Sequence, residues 1–174
     1  MTDSVAESFG SAIRQALGAA CWYVSVGGSS LPSFSLALGK RMPRETPLKN
    51  RAHSGEFRRC EGEFTLLVWC AWRLDSDDSP IASSDDNEST ITTSLRLLNG
   101  ESLQDVSVQA PAWDCVLAFS SGLTLRIFCD HTEKQPSFDG NWEWTSPGVR
   151  ISTGPGKKYE FNSKDFGDTQ LNIK

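Results

Sequence analysis

Apolar residues recur at Val5, Phe9, Ile13, Leu17 and Ala20, the three-to-four-residue spacing of one face of an amphipathic helix. The pattern predicts a helix over 4–20. Ser4 and Glu7 fit a capping box at its start, and Gly18 weakens its last turn. The stripe suits packing on a sheet, over one face or one open end; a partner-binding helix is the alternative.

From Cys21 the period changes to two. Residues 21–26 read as a first strand, Gly27-Gly28-Ser29-Ser30 as a loop, and 33–39 as a half-buried strand with Phe34, Leu36 and Leu38 on one side. Phe64, Leu66, Val68, Cys70, Trp72 and Leu74 line one face of a longer strand, and Leu67, Trp69 and Ala71 make its other face apolar. A strand apolar on both faces is expected to be central and covered twice. Residues 90–98 and 103–110 read as strands around Leu98-Asn99-Gly100-Glu101, because Asn-Gly tolerates positive φ in a hairpin turn. A second hairpin joins Cys115–Phe119 to Leu123–Cys129 through Ser120-Ser121-Gly122, and 141–144, 149–152 and 158–161 are further short strands. The expectation is a single domain over 1–174, with a helix at 4–20, a β core at 21–161 and a polar tail at 162–174. Its class is mainly β (α+β): an antiparallel sandwich or partly open barrel with one N-terminal helix.

Between the strands, charge segregates. Residues 40–59 carry Lys40, Arg41, Arg44, Lys49, Arg51, Arg58 and Arg59 against Glu45 and Glu56, and read as an exposed connection. Residues 75–89 carry Asp75, Asp77, Asp78, Asp85, Asp86 and Glu88 with no basic residue, and read as a solvated loop. The two segments could pair with each other. Otherwise either could meet a partner, setting on-rate and specificity. Asp75, Asp77, Asp78, Asp85, Asp86, Glu88, Arg41 and Arg44 are therefore the candidate partner-binding residues.

Composition narrows the field. The 174 residues are 38% hydrophobic and 22% charged, ordinary for a globular protein long enough to bury a real core. A net charge of −5 argues against general nucleic-acid binding, which needs a basic footprint. Five cysteines cannot all pair internally, no two are spaced C-x-x-C, and Cys70, Cys115 and Cys129 sit in apolar runs. A reducing cytoplasm is the expectation. Asp3 and Glu7 make the N-terminus acidic where a secretory signal is basic. No run approaches the roughly 18 apolar residues of a membrane span. Nothing in the pattern sets an oligomeric state.

Catalytic and metal-binding patterns fail in turn. Cys129-Asp130-His131 puts a thiol and an imidazole on one face of an extended segment, but no fourth ligand is marked and Cys129 continues an apolar stripe. Cys129 or Cys115 with His53 or His131 has the residue types of a nucleophile and base, without a supporting pattern. Counted from Asp75, the sixth and twelfth positions of a calcium loop hold Pro80 and Asp86 instead of Gly and Glu. Gly154-Pro155-Gly156-Lys157-Lys158 lacks the first Gly and the hydroxyl residue of a phosphate-binding loop. Glu143, Asp139, Asp114 and Asp130 are the carboxylates open to glycoside chemistry. Trp113, Trp142 and Trp144 could stack on a sugar or small ligand. No metal and no cofactor is expected, and the chain does not read as an enzyme.

One stretch has a family likeness. Gly62-Glu63-Phe64-Thr65-Leu66 leads into Ala71-Trp72-Arg73-Leu74, followed by Leu98 to Leu103 with Val106 and Val108, then Asp114 to Leu125, then Asn141-Trp142. Over about residues 60–145 this order resembles small bacterial β proteins, some of which look like immunity proteins of polymorphic toxin systems. The resemblance implies a non-catalytic inhibitor that binds a protein toxin, and carries no catalytic residue. If the acidic surface mimics nucleic acid, the target would be a nuclease. The alternatives are a small-ligand or carbohydrate-binding module using the three tryptophans, and a structural subunit of a larger assembly.

Overall fold

Two rows of apolar side chains define the structure. Register aligns Val24, Leu36, Leu66, Trp144, Ile151 and Phe161 across one antiparallel sheet. It aligns Val106, Leu117, Leu125, Leu74 and Ala82 across another. Directly opposed residues share a face, so each row is the inner face of its sheet. The rows belong to one buried cluster, and Phe34 meets Trp72 edge-on across the gap at 5.4 Å.

These relationships come from a computed structural model describing residues 2–27, 33–132, 134 and 140–163. Helix α1 (Thr2–Arg14) precedes β1 (Cys21–Val26) and β2 (Phe34–Pro43). A short α2 (Gly55–Arg59) leads into β3 (Cys60–Val68), β4 (Ala71–Asp75) and β5 (Pro80–Ser83). Then come α3 (Glu88–Leu95), a 3₁₀ turn (Arg96–Leu98) and β6 (Leu103–Gln109). The last strands are β7 (Asp114–Phe119), β8 (Thr124–Phe128), β9 (Trp142–Ser146), β10 (Val149–Thr153) and β11 (Tyr159–Ser163). The six-stranded sheet runs β1-β2-β3-β9-β10-β11 and the five-stranded sheet β5-β4-β8-β7-β6. They do not close into a barrel, which resolves the expected pair of architectures in favour of two stacked sheets.

A stack of two open sheets has two exposed sides, and a helix fills each. On one, α1 lies along β6 and drives Phe9 against Tyr159 (5.3 Å) and Phe161 (5.9 Å) of β11. On the other, α3 packs between the edge strands β5 and β1.

Several expected boundaries move. The first helix ends at Arg14, and the chain reaches Ala19 through tight three-residue-spaced hydrogen bonds, so Leu17 is exposed instead of buried. Helix α1 already begins at Thr2, which places Ser4 inside it and not at a cap. The long central strand is two strands in different sheets. The chain switches at Trp69-Cys70, where both backbone N–H groups donate to Asn141 O at 2.9 and 3.2 Å. Residues 90–98 are helical, not a strand. Thr90, Thr92 and Thr93 favour strands, but Asn87 accepts from Thr90 N at 3.0 Å as an N-cap, and Ile91, Leu95 and Leu98 form a buried helical stripe. Asn99-Gly100 turns out of that helix: Asn99 has φ −64°, ψ 124° and Gly100 φ 89°, as in a type II turn. The basic connection holds α2, capped by Ser54 and burying Phe57 against Trp22 and Tyr23 of β1. The acidic segment contains β5. Residues 28–30 of the expected loop and 164–174 of the expected tail lie outside the described residues; Asn162 and Ser163 belong to β11.

Candidate protein-binding surface

The acidic residues divide into a structural one and an exposed group. Asp75 ends β4 and is buried; its carboxylate accepts from Arg73 Nε at 2.7 Å and Arg126 Nε at 2.8 Å. Register places Ser83, Arg73, Arg126, Val116 and Ser107 in one row on the outer face, so two guanidinium groups would stand opposed without Asp75. The hydrogen bond from Arg73, with that from Arg126 and the two positive charges, holds the Asp75 carboxyl below its ordinary range. This residue staples three strand positions and is not available to a partner.

The others flank β5, the edge of the five-stranded sheet. At one end the 76–79 turn is tied by Ser76 N to Ser79 O (2.8 Å) and Ser79 N to Ser76 Oγ (3.2 Å). This presents Asp77 and Asp78 to solvent beside the β7–β8 turn, where a Cβ on Gly122 would come within 2.6 Å of the Asp77 carboxylate. At the other end Asp86 accepts from Ser83 N at 2.7 Å, Asp85 is exposed, and Glu88 is exposed in the first turn of α3. Four extended residues separate the two ends by about 13 Å. That exceeds the screening length of roughly 8 Å at physiological salt, so the pairs act as two charged patches on one edge.

The basic candidates are spent inside the protein. Arg41 pairs with Glu56 at 2.6 Å and lies over the Trp22 ring at 5.0 Å. Arg44 donates through Nε to Phe57 O and Cys60 O, pairs with Glu61 at 3.1 Å, and sits over Phe57. Phe57 in turn stacks on Tyr23 at 4.1 Å, with His53 edge-on at 5.1 Å. Arg41 and Arg44 thus clamp α2 onto β1. Among the described residues no ion pair joins 40–59 to 75–89; Arg41 pairs with Glu56 inside its own segment, while Arg44 and Asp75 pair outside theirs, with Glu61 and with Arg73 and Arg126.

The tryptophans offered as a ligand platform are core. Trp113, Trp142 and Trp144 are at most 1% exposed. Trp142 Nε1 donates to Trp113 O at 2.8 Å, Trp113 Nε1 donates to Lys157 O at 3.1 Å, and Trp144 stacks on Phe64. None presents a ring face to solvent: Trp142 and Trp144 fall on the inner face of β9, and Trp113, in the turn before β7, is packed against Phe9 and Tyr159.

The groups weighed for chemistry are dispersed. Glu143 faces outward on the six-stranded sheet and accepts from Arg150 (2.8 Å) and Ser152 (3.1 Å). Asp114 and Asp130 instead accept backbone N–H groups of Cys129 (2.7 Å) and Ala71 (3.2 Å) at one end of the other sheet. Asp139 lies outside the described residues. His131 is buried, with Nδ1 3.1 Å from Gly140 O. His53 belongs to the aromatic cluster over β1. Among the described residues no three of His, Cys, Asp and Glu stand together as a metal site, and no helix is long and apolar enough to cross a membrane.

One structural residue escaped the sequence reading. Asn141 is fully buried; its Nδ2 donates to Gly154 O at 3.0 Å, its Oδ1 accepts from His131 N at 3.3 Å, and its main chain anchors the sheet switch. Its only signal is an Asn after Gly at a strand start, which is ordinary turn chemistry.

Comparison with protein-family models, curated proteins and solved structures finds no match to the chain.

Proposed function

We propose that this chain is a non-catalytic binding protein that engages and blocks another protein, in the manner of the immunity proteins that residues 60–145 resemble. The observation that carries the reading is the exposed set Asp77, Asp78, Asp85 and Glu88 at both ends of edge strand β5. None of the four is enclosed by the core, and together they present a negative edge to a basic partner surface. Such complementarity speeds encounter and rejects like-charged competitors. The buried tryptophans and internally paired arginines favour this edge over the other sequence-derived candidates.

The test is a quantitative pull-down from the native host. Wild type is compared with a variant carrying Asp77→Lys, Asp78→Lys, Asp85→Lys and Glu88→Lys, after circular dichroism shows the same fold. The reading expects a protein with a basic surface that wild type retains and the variant loses. Identical captured sets would overturn it.

A further inference from the structure

Cys70 directly precedes β4 and Cys129 directly follows β8. These strands pair antiparallel, with Ala71 opposite Phe128 and Trp72 opposite Ile127. One further step of this register sets Cys70 opposite Cys129. Trp72 directs its N–H and C=O away from β8, bonding Ser84 on the other side. Cys129 N likewise points away, to Asp114. Cys70 and Cys129 therefore occupy a non-hydrogen-bonded position, where opposed Cα atoms lie about 4.5 Å apart and side chains approach most closely. That separation falls within the disulfide range. The Cys70 thiol is hydrogen-bonded to that of Cys129; this contact, burial and the neighbouring charges push its pKa strongly up. All five cysteines are free thiols in this structure.

We propose that Cys70 and Cys129 are a redox pair that closes to an intramolecular disulfide when the chain meets a low-molecular-weight disulfide such as oxidised glutathione. Everything between the two residues, from β4 to β8 with α3, builds the whole five-stranded sheet. The bond would tie that segment at both ends and close a loop of about 60 residues. A weaker tie already exists there, since Ala71 N donates to the Asp130 carboxylate at 3.2 Å.

The exchange balances. The Cys129 thiolate attacks one sulfur of the oxidant and expels a first glutathione thiolate. The Cys70 thiolate then attacks Cys129 in the mixed disulfide and expels the second. Two protein thiols are oxidised, two glutathione thiols are formed, and the two cysteine protons pass to the released thiolates. Cys129 leads because it is 9% exposed against 1% for Cys70. Both sulfurs are enclosed by the core and the Cys70 pKa is pushed strongly up, so the reaction waits on opening of the β4–β8 end.

The experiment uses the full chain with Cys60→Ala, because Cys60 and Cys70 share the tryptic peptide 60–73. The protein is held just below its unfolding midpoint with oxidised glutathione, alkylated and digested without reduction. The expected product links peptide 60–73 to 127–134, disappears with dithiothreitol, and raises the thermal midpoint by roughly 5–10 °C. Cys70→Ala should abolish both link and rise; Cys115→Ala should keep both. Linkage through peptide 97–126, which carries Cys115, would overturn the proposal, as would quantitative alkylation of both Cys70 and Cys129 after oxidation.

Discussion

The indole N–H of Trp142 donates to the main-chain carbonyl of Trp113 at 2.8 Å. Trp113 itself has φ 72°, a left-handed conformation uncommon for a bulky residue, and its ring packs on Phe9 and Tyr159 at 5.3 Å each. One residue thus joins α1, the β6–β7 connection and the last strands. Trp113→Ala should destabilise the fold by about 3–5 kcal/mol, read by chemical denaturation. Trp142→Phe, which deletes the donor and the pyrrole half of a buried indole, should lose about 1–3 kcal/mol. Loss below 1 kcal/mol for Trp113→Ala would contradict the packing described.

Asp75 makes a pH prediction. Hydrogen bonds from Arg73 and Arg126 lower its pKa in the folded chain below that of the unfolded chain. The stabilisation is therefore present above the ordinary carboxylate pKa of about 4 and is lost as pH falls below it. Asp75→Asn should reduce stability at pH 7 by about 1 kcal/mol, since both arginines are partly exposed. Its stability should also fall less steeply than that of wild type between about pH 4 and pH 2. Parallel curves for the two proteins would refute the linkage.

Helix α3 tests the correction to the strand assignment. Asn87→Ala removes the side chain that accepts from Thr90 N and should destabilise by about 1 kcal/mol, whereas Asn87→Asp should be nearly neutral. Amide exchange at Ile91 and Thr92 should accelerate in the alanine variant first. A strand over 90–98 would leave both substitutions without effect.

These residues mark how far the sequence could be read. Alternation located β1, the start of β2, and the β7–β8 hairpin, because inner-row residues such as Leu117 and Leu125 alternate with outer ones. It missed the break at Trp69-Cys70 because alternation continues straight through it; the inner faces of two sheets follow one another without a change of period. It misread 90–98 because threonine carries strand preference while the helix rests on one asparagine cap and on burying Ile91, Leu95 and Leu98 where α3 meets β5 and β1. Tryptophan identity suggested a ligand platform at 113, 142 and 144; strand register turns 142 and 144 inward, and packing on Phe9 and Tyr159 buries 113 in its turn. The acidic edge was legible as charge. Its division into a buried Asp75 and exposed ends was not, since Arg126 lies far along the chain.

The most direct measurement is calorimetric titration of the chain with the protein it captures, at low and at physiological salt. Saturable binding is expected, weakening at least tenfold when Asp77, Asp78, Asp85 and Glu88 are reversed to lysine, with wild-type affinity falling as salt rises. Unchanged affinity in the reversed variant, or affinity indifferent to salt, would contradict it.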